Sequence, residues 1–421
     1  MTRSGSVLVP GDKSLTHRAL FLAAMAPGRS ELHGALTSLD ARSTAAAIRR
    51  FGASVSSLRA DRVVAVTGRR WRAPEGPVHC GNSGTTVRLS LGLLAAHRFA
   101  ATMTGDASLR RRPMRRVADP LIAMGARITL PERDGLPLTV HGGPLRPLTW
   151  ELPASSAQLK GAVLLAGMAA GVPVRVREPA GRSRDHTERM LRAFGYRVTD
   201  EPDGWIDFEP TGRLEAFCTE IPGDISSAAF LLGAVTIARA GELRLLNVGV
   251  NPTRTGVLTV LARMGGHVAL ENQRDSVGEP VADLVVRPAR LRATTVRPEE
   301  VPGLIDEIPM LAALAARAEG TTVFEEVGEL RVKESDRLAL IAANLRALGV
   351  DAAAEGNTLR VTGTDRPPAG RVITAGDHRI AMAFAVLGRV RGARVRVDDP
   401  ECARVSFPGF SDTLRSIEVT R

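Results

Sequence analysis

Ser156-Ala157-Gln158-Leu159-Lys160-Gly161-Ala162-Val163-Leu164-Leu165-Ala166-Gly167-Met168-Ala169-Ala170 is the stretch that decides the architecture. A polar start leads into a segment that is apolar nearly all round. Such a segment reads as a helix with no face for water, and therefore a buried one. Ile380-Ala381-Met382-Ala383-Phe384-Ala385-Val386-Leu387 has the same character. Working outward, starts of this kind fall at Asp12, Asn82, Ser156, Asp224, Asp306 and Asp377, at intervals of 70, 74, 68, 82 and 71 residues. Each is an Asp, Asn or Ser, whose side-chain oxygen can cap a helix N-terminus.

A second series interleaves with the first. Helix-like segments ending in glycine recur at Gly52, Gly125, Gly195, Gly265 and Gly349, each followed by a short strand-like run such as Ala-Arg-Ile (126–128) or Tyr-Arg-Val (196–198). Glycine just past a helix is the expected left-handed stop. Six units of about 70 residues, each with two helices and several strands, imply a mixed α/β fold of two three-unit domains. The repeat phase puts the boundary near Pro222 and leaves the first dozen residues free to join either half.

The bulk composition excludes several classes. Hydrophobic residues at 44% and charged residues at 24% are those of a globular chain. No apolar run reaches the ~18 residues of a membrane span, and the N-terminus lacks a signal-peptide core. Cys80, Cys218 and Cys402 are odd in number and far apart, so neither a disulfide framework nor a metal cluster is expected. A cytoplasmic protein is expected. The net charge of +11 fits either a polyanion or small, multiply charged anions. Aromatic residues make up only 4%, too few for base-stacking platforms, which weighs against nucleic acid. Lysine is almost gone: only Lys13, Lys160 and Lys333 remain among 56 basic residues. These mark places where a compact ammonium does what a planar guanidinium cannot.

Polar residues gather where the buried helices begin. Helix N-termini carry unpaired N–H groups and the positive ends of their dipoles, so six of them converging would make an anion site. Pro10-Gly11-Asp12-Lys13-Ser14-Leu15-Thr16-His17-Arg18 places Ser14 and Arg18 on one helix face. Gly81-Asn82-Ser83-Gly84-Thr85-Thr86-Val87-Arg88 lets backbone approach a ligand closely, without the Gly-Lys-Ser/Thr element of a nucleotide P-loop. Further along come Arg110-Arg111-Arg112-Pro113-Met114, Ser155-Ser156-Ala157-Gln158 and Ser183-Arg184-Asp185-His186-Thr187. Leu304-Ile305-Asp306-Glu307-Ile308-Pro309 puts carboxylates at a helix entry, and Gly376-Asp377-His378-Arg379 opens the last buried helix. Arg331-Val332-Lys333-Glu334-Ser335-Asp336-Arg337 sets Glu334 beside Lys333 as a proton-transfer pair. Lys160 has no clear catalytic place; its ammonium is expected to satisfy a buried carboxylate or carbonyl.

In this order the motifs resemble those of the 5-enolpyruvylshikimate-3-phosphate (EPSP) synthase family, from about residue 8 to 415. The resemblance implies two domains, each of three βαβαββ units around buried helices, an inside-out α/β barrel. Because the chain then crosses twice, residues 1–12 join 222–421 in one domain and 13–221 form the other, with the active site in the cleft between them. It also implies transfer of the enolpyruvyl group of phosphoenolpyruvate to the 5-hydroxyl of shikimate 3-phosphate, with release of phosphate and no metal or organic cofactor. Partners are then small anionic substrates, with no nucleic acid and no membrane, and a monomer is expected. By motif matching, Lys13, Ser14, Arg18, Ser156, Gln158, Arg184, Asp306 and Lys333 look like ligands of shikimate 3-phosphate. Lys13, Gly84, Arg112, Gln158, Arg337 and Arg379 look like the phosphoenolpyruvate site. Asp306 is the expected base, Glu334 the expected acid, and Lys13 the charge-neutralising partner. Gly84 leaves room for glyphosate, the family's competitor.

One departure concerns Cys402-Ala403-Arg404-Val405-Ser406-Phe407-Pro408, where Val405 stands at the place of a lysine in some members. Two rival readings exist. A UDP-N-acetylglucosamine enolpyruvyl transferase would carry a reactive cysteine in the loop matching residues 105–113, which has none. A nucleic-acid-binding or RNA-end-processing protein of related fold would account for the charge but not for the Lys-Glu-x-x-Arg and His-Arg motifs.

Overall fold

The computed structural model describes residues 4–60, 62–179, 181–276 and 278–417. By contact the chain divides into two units. One is Gly11–Ile221 with Ser276–Glu279; the other takes the residues through Pro10, Pro222–Asp275 and those from Pro280 onward. Two details differ from the sequence boundaries. Gly11 and Asp12 group with the segment that follows, because Asp12 caps its first helix through the Leu15 N–H at 2.8 Å. Residues 276–279 group with the 11–221 unit, where Glu279 meets the buried His186 at 2.8 Å.

In the 11–221 unit the helices are α1 (Lys13–Met25), α2 (Leu39–Arg50), α3 (Gly84–Ala95), the short α4 (Ala107–Arg110), α5 (Arg115–Met124), α6 (Ala157–Ala170) and α7 (His186–Ala193). Three four-stranded sheets accompany them. In the second repeat, Val78–His79 leads into α3, Ala100–Thr104 into α5, and Arg127–Thr129 with Leu138–His141 closes the unit. The first two strands run parallel and the last two join antiparallel, which is a βαβαββ unit. The first repeat obtains its parallel edge from the far end of the segment: Cys218–Glu220 pairs with Gly28–His33.

The other unit holds α8 (Ile225–Thr236), α9 (Gly256–Arg263), α10 (Ile308–Ala315), α11 (Arg337–Ala347), α12 (His378–Leu387) and α13 (Phe410–Ser416). Its first sheet takes the N-terminal strand Ser4–Leu8 as parallel partner of Glu242–Gly249. The sixth repeat is shortened. Ala369–Val372 and Arg394–Val397 form a parallel pair, and among the described residues α13 follows where the antiparallel strands would stand.

α1, α3 and α6 fill the core of one unit, and α8, α10 and α12 that of the other. α8 and α10 are buried along their whole length, as the absence of a polar face requires. α3 and α6 approach so closely that a Cβ on Gly92 would lie 2.0 Å from the Ala162 carbonyl oxygen; only glycine fits there. All five stop glycines have positive φ, between 78° and 115°. No helix among the described residues is long and apolar enough to cross a membrane.

Candidate active site

Four of the six expected starts are N-caps, and Asp12, Asp224 and Asp377 accept a backbone N–H there. Ser156 caps α6 without spending its side chain on the helix. At the other two the cap moves one residue on, to Ser83 and Glu307. The displaced side chains pair with neighbouring side chains instead. Asn82 donates to Asp106 at 2.7 Å and accepts from Arg112; Asp306 accepts from Arg337 at 3.2 Å.

In the 11–221 unit two groups form at the helix N-termini. Arg18, 2% exposed, donates from Nε to Thr187 Oγ1 at 2.7 Å, from Nη1 to the Ser14 carbonyl at 3.0 Å and from Nη2 to the Ala157 carbonyl at 3.1 Å. Burial pulls its pKa down to about 10, against the nearby Glu188 and helped by Arg184. Arg184 donates to Ser14 Oγ at 3.3 Å, so Ser14, Arg18 and Arg184 come together as matched. Lys13 meets Asp40, a residue the sequence gave no reason to single out, at 3.1 Å. The second group surrounds Gly84, the first residue of α3. A Cβ there would lie 2.9 Å from Arg88 Nη1 and 3.2 Å from Arg112 Nη1. Arg88 Nη1 donates to Gln158 Oε1 at 2.6 Å, and Gln158 Nε2 to Thr85 Oγ1 at 2.8 Å. Arg88 was quoted within its motif but given no role; its position four residues past Gly84 was the available signal.

His17, within the first motif, is structural. Its Nδ1 and Thr44 Oγ1 lie 2.6 Å apart, Thr44 reaches Thr86 at 2.6 Å, and Thr86 donates to Ser83 at 2.7 Å, tying α1, α2 and α3 together. Burial first, then Lys13 and Arg18, push its pKa well below the ordinary imidazole value.

The other unit carries a compact charge cluster. Arg337 is 1% exposed and donates to Asp377 Oδ2 at 2.8 Å, to Asp306 and to Glu334. Burial alone would lower its pKa, but Asp377, Glu334 and Asp306 outweigh that and raise it. Arg379 donates to the Asp306 carbonyl at 2.9 Å and lies 3.7 Å from both Asp306 Oδ2 and Glu307 Oε1. Glu307 accepts from Ser226, and buried Arg254 holds Ser226 Oγ at 2.8 Å and Asp224 Oδ1 at 3.1 Å. Asp306, Glu334, Arg337 and Arg379 thus stand together; Lys333 adjoins them in sequence, half-buried at the end of the turn Gly328–Val332. Arg254, Asp377 and Glu307 were not read as site residues. Arg404, beside Val405, is exposed and paired with Glu401 at 2.8 Å.

Among the described residues one group of side chains has a spacing that would suit a metal ion. Glu31, His33 and Cys218 bring their ligand atoms within 4.8 Å of one another. Cysteine spacing could not show this, because the pairing of Cys218 with Glu31 arises from the closure of the first sheet. The set lies open to solvent, and Glu31 is already engaged by Arg29 at 3.1 Å.

A family model for EPSP synthase (3-phosphoshikimate 1-carboxyvinyltransferase) matches residues 2–414. The chain belongs to the EPSP synthase family. It is 49% identical over 98% of its length to the 3-phosphoshikimate 1-carboxyvinyltransferase of Gloeobacter violaceus, covering 96% of that protein. With the same enzyme of Alkalilimnicola ehrlichii it shares 47% identity, over 96% of this chain and 91% of the relative. EPSP synthase from Acinetobacter baumannii superposes at a TM-score of 0.87 with 38% identity, covering all of this chain and 96% of that one. The enolpyruvyl transferase NikO from Streptomyces tendae, at 17% identity and a TM-score of 0.77, shares the fold over 99% of this chain and 95% of its own. As an EPSP synthase family member the chain is a shikimate-pathway transferase acting on small anionic substrates, and neither rival reading is favoured.

Proposed function

We propose that this chain joins phosphoenolpyruvate to the 5-hydroxyl of shikimate 3-phosphate through the residues matched above, drawn from both units, as a monomer of the cytoplasm. The observation that carries the reading is the group at the N-termini of α1 and α6, where Ser14, Arg18 and Arg184 converge. Cations and helix N-termini directed to one place suit a phosphate dianion. With Lys13, Ser156 and Gln158 they hold the 3-phosphate and its ring, while Asp306 and Lys333 take the hydroxyl side. Gly84, Arg112, Gln158, Lys13, Arg337 and Arg379 hold phosphoenolpyruvate, and Arg88 orients Gln158.

In the addition step the 5-oxygen bonds to C2 of phosphoenolpyruvate as its proton passes to Asp306, and the methylene carbon takes a proton from Glu334. The product is a tetrahedral adduct. In the elimination step the bond from C2 to the phosphate oxygen breaks, a methyl proton passes back to Glu334, the leaving phosphate takes the proton held by Asp306, and the enol ether and inorganic phosphate separate. Lys13 offsets charge as the adduct forms and shares in proton transfer.

Mixing the protein with both substrates should release inorganic phosphate, and neither substrate alone should do so. No release from the pair would overturn the reading.

A further inference from the structure

Lys160 stands on the first turn of α6 with its side chain fully buried. Its Nζ lies 2.8 Å from Glu178 Oε2, 2.8 Å from Glu188 Oε1 and 3.3 Å from the Ser183 carbonyl. An ammonium has three N–H donors; Glu178 and the Ser183 carbonyl accept two of them, and Glu188 stands against the ammonium as an ion pair. Burial alone would lower its pKa, but Glu188 and Glu178 reverse that and raise it. The expectation of a buried carboxylate or carbonyl partner is met by both.

The three oxygens lie close in sequence: Glu178 and Ser183 in the connection from the strand Val174–Arg177 into α7, and Glu188 on the first turn of α7 itself. Glu178 also accepts from the Ser183 N–H at 3.0 Å and from the Ser183 hydroxyl, so the stretch folds back around the ammonium. The same stretch presents Arg184 to Ser14 and Thr187 to Arg18. Gly161, next to Lys160, leaves room for this: a Cβ there would fall 2.8 Å from Thr187 Oγ1.

We propose that Lys160 is a positioning residue for shikimate 3-phosphate: it touches no substrate, but by gathering residues 178–188 it sets Arg184 against the 3-phosphate. The inference rests on the assignment of Arg184 to that phosphate. Arginine cannot substitute for this lysine, because a planar five-donor fork does not match three oxygens arranged around a point.

The test is steady-state kinetics on Lys160→Arg, Glu178→Gln, Arg184→Ala and the double variants of the first two with Arg184→Ala, per folded molecule. Glu178→Gln keeps shape and volume, so it carries the test if Lys160→Arg does not fold. Each of these two single variants should raise KM for shikimate 3-phosphate on the order of tenfold, as misplaced contacts do. KM for phosphoenolpyruvate should stay within about twofold, since Arg184 is not among its ligands. In the double variants KM should equal that of Arg184→Ala alone, because the effect passes through Arg184. Lowered melting temperatures with unchanged KM, or additive effects in the double variants, would overturn the proposal and leave Lys160 a purely structural residue. An unchanged KM in Arg184→Ala would instead overturn the phosphate assignment, and this inference with it.

Discussion

Alanine at position 84 places a methyl group 2.9 Å from Arg88 Nη1 and 3.2 Å from Arg112 Nη1. Both neighbours are the guanidinium ends of long side chains, so they yield by a few tenths of an ångström while the backbone stays in place. Arg88 cannot yield without cost, since the same nitrogen holds Gln158 Oε1 at 2.6 Å. The push therefore reaches Gln158 and Arg112, both assigned to phosphoenolpyruvate. Weakening part of a charge-assisted bond worth about 1.5–3 kcal/mol should raise KM for phosphoenolpyruvate roughly fivefold, with kcat changed by less than about threefold. Glyphosate is longer and should meet the methyl itself; overpacking costs about 1–3 kcal/mol, so its inhibition constant should rise on the order of 10- to 100-fold. Stability supplies the control. Gly84 opens α3 at negative φ, where alanine gains up to ~1 kcal/mol in helix propensity, so the melting temperature should not fall. Equal inhibition constants for wild type and Gly84→Ala would refute the reasoning. So would a drop in melting temperature of several degrees, which would mean that the backbone rather than the guanidinium ends had moved.

Lys13→Arg and Lys333→Arg should each cost about 3 kcal/mol, roughly a hundredfold in turnover, although they keep the charge; near-normal turnover in Lys13→Arg would break the lysine argument. His17 bears on acid stability. Its folded pKa lies below the unfolded value of about 6.5, so the unfolded chain binds the extra proton, and stability present above that pH is lost below it. The slope should be about 1.4 kcal/mol per pH unit below pH 6, and denaturant titrations of His17→Asn should show it flattened by one proton's worth.

The repeat was legible because buried helices and left-handed stops leave marks in single residues. Gly52, Gly125, Gly195, Gly265 and Gly349 each carry the positive φ that the pattern required. Helix starts were legible to within a residue, and the two errors, Asn82 and Asp306, fell where the side chain bonds to another side chain, Asp106 or Arg337, rather than to the helix. The shortened sixth repeat left no mark, since the strands of that sheet are four residues each and alternate only weakly in burial. Candidate site residues were readable where charge sits in a dense motif, as in 331–337. Asp40, Glu178, Glu188 and Arg254 were not, because each pairs with a partner 18 to 30 residues away in sequence, and a buried ion pair has no local periodicity.

The N-terminal strand carries a consequence for biosynthesis. Ser4–Leu8 leaves the ribosome well before its partner Glu242–Gly249, which is made more than two hundred residues later. By then the strand Cys218–Glu220 has closed the first sheet of the 11–221 unit. Until residue 242 emerges, the nascent chain holds five residues of extended backbone with no ladder to join, an edge open to any strand that passes. A circular permutant that begins at Pro222 and continues through residue 421 into residue 1 would translate that edge next to its own sheet.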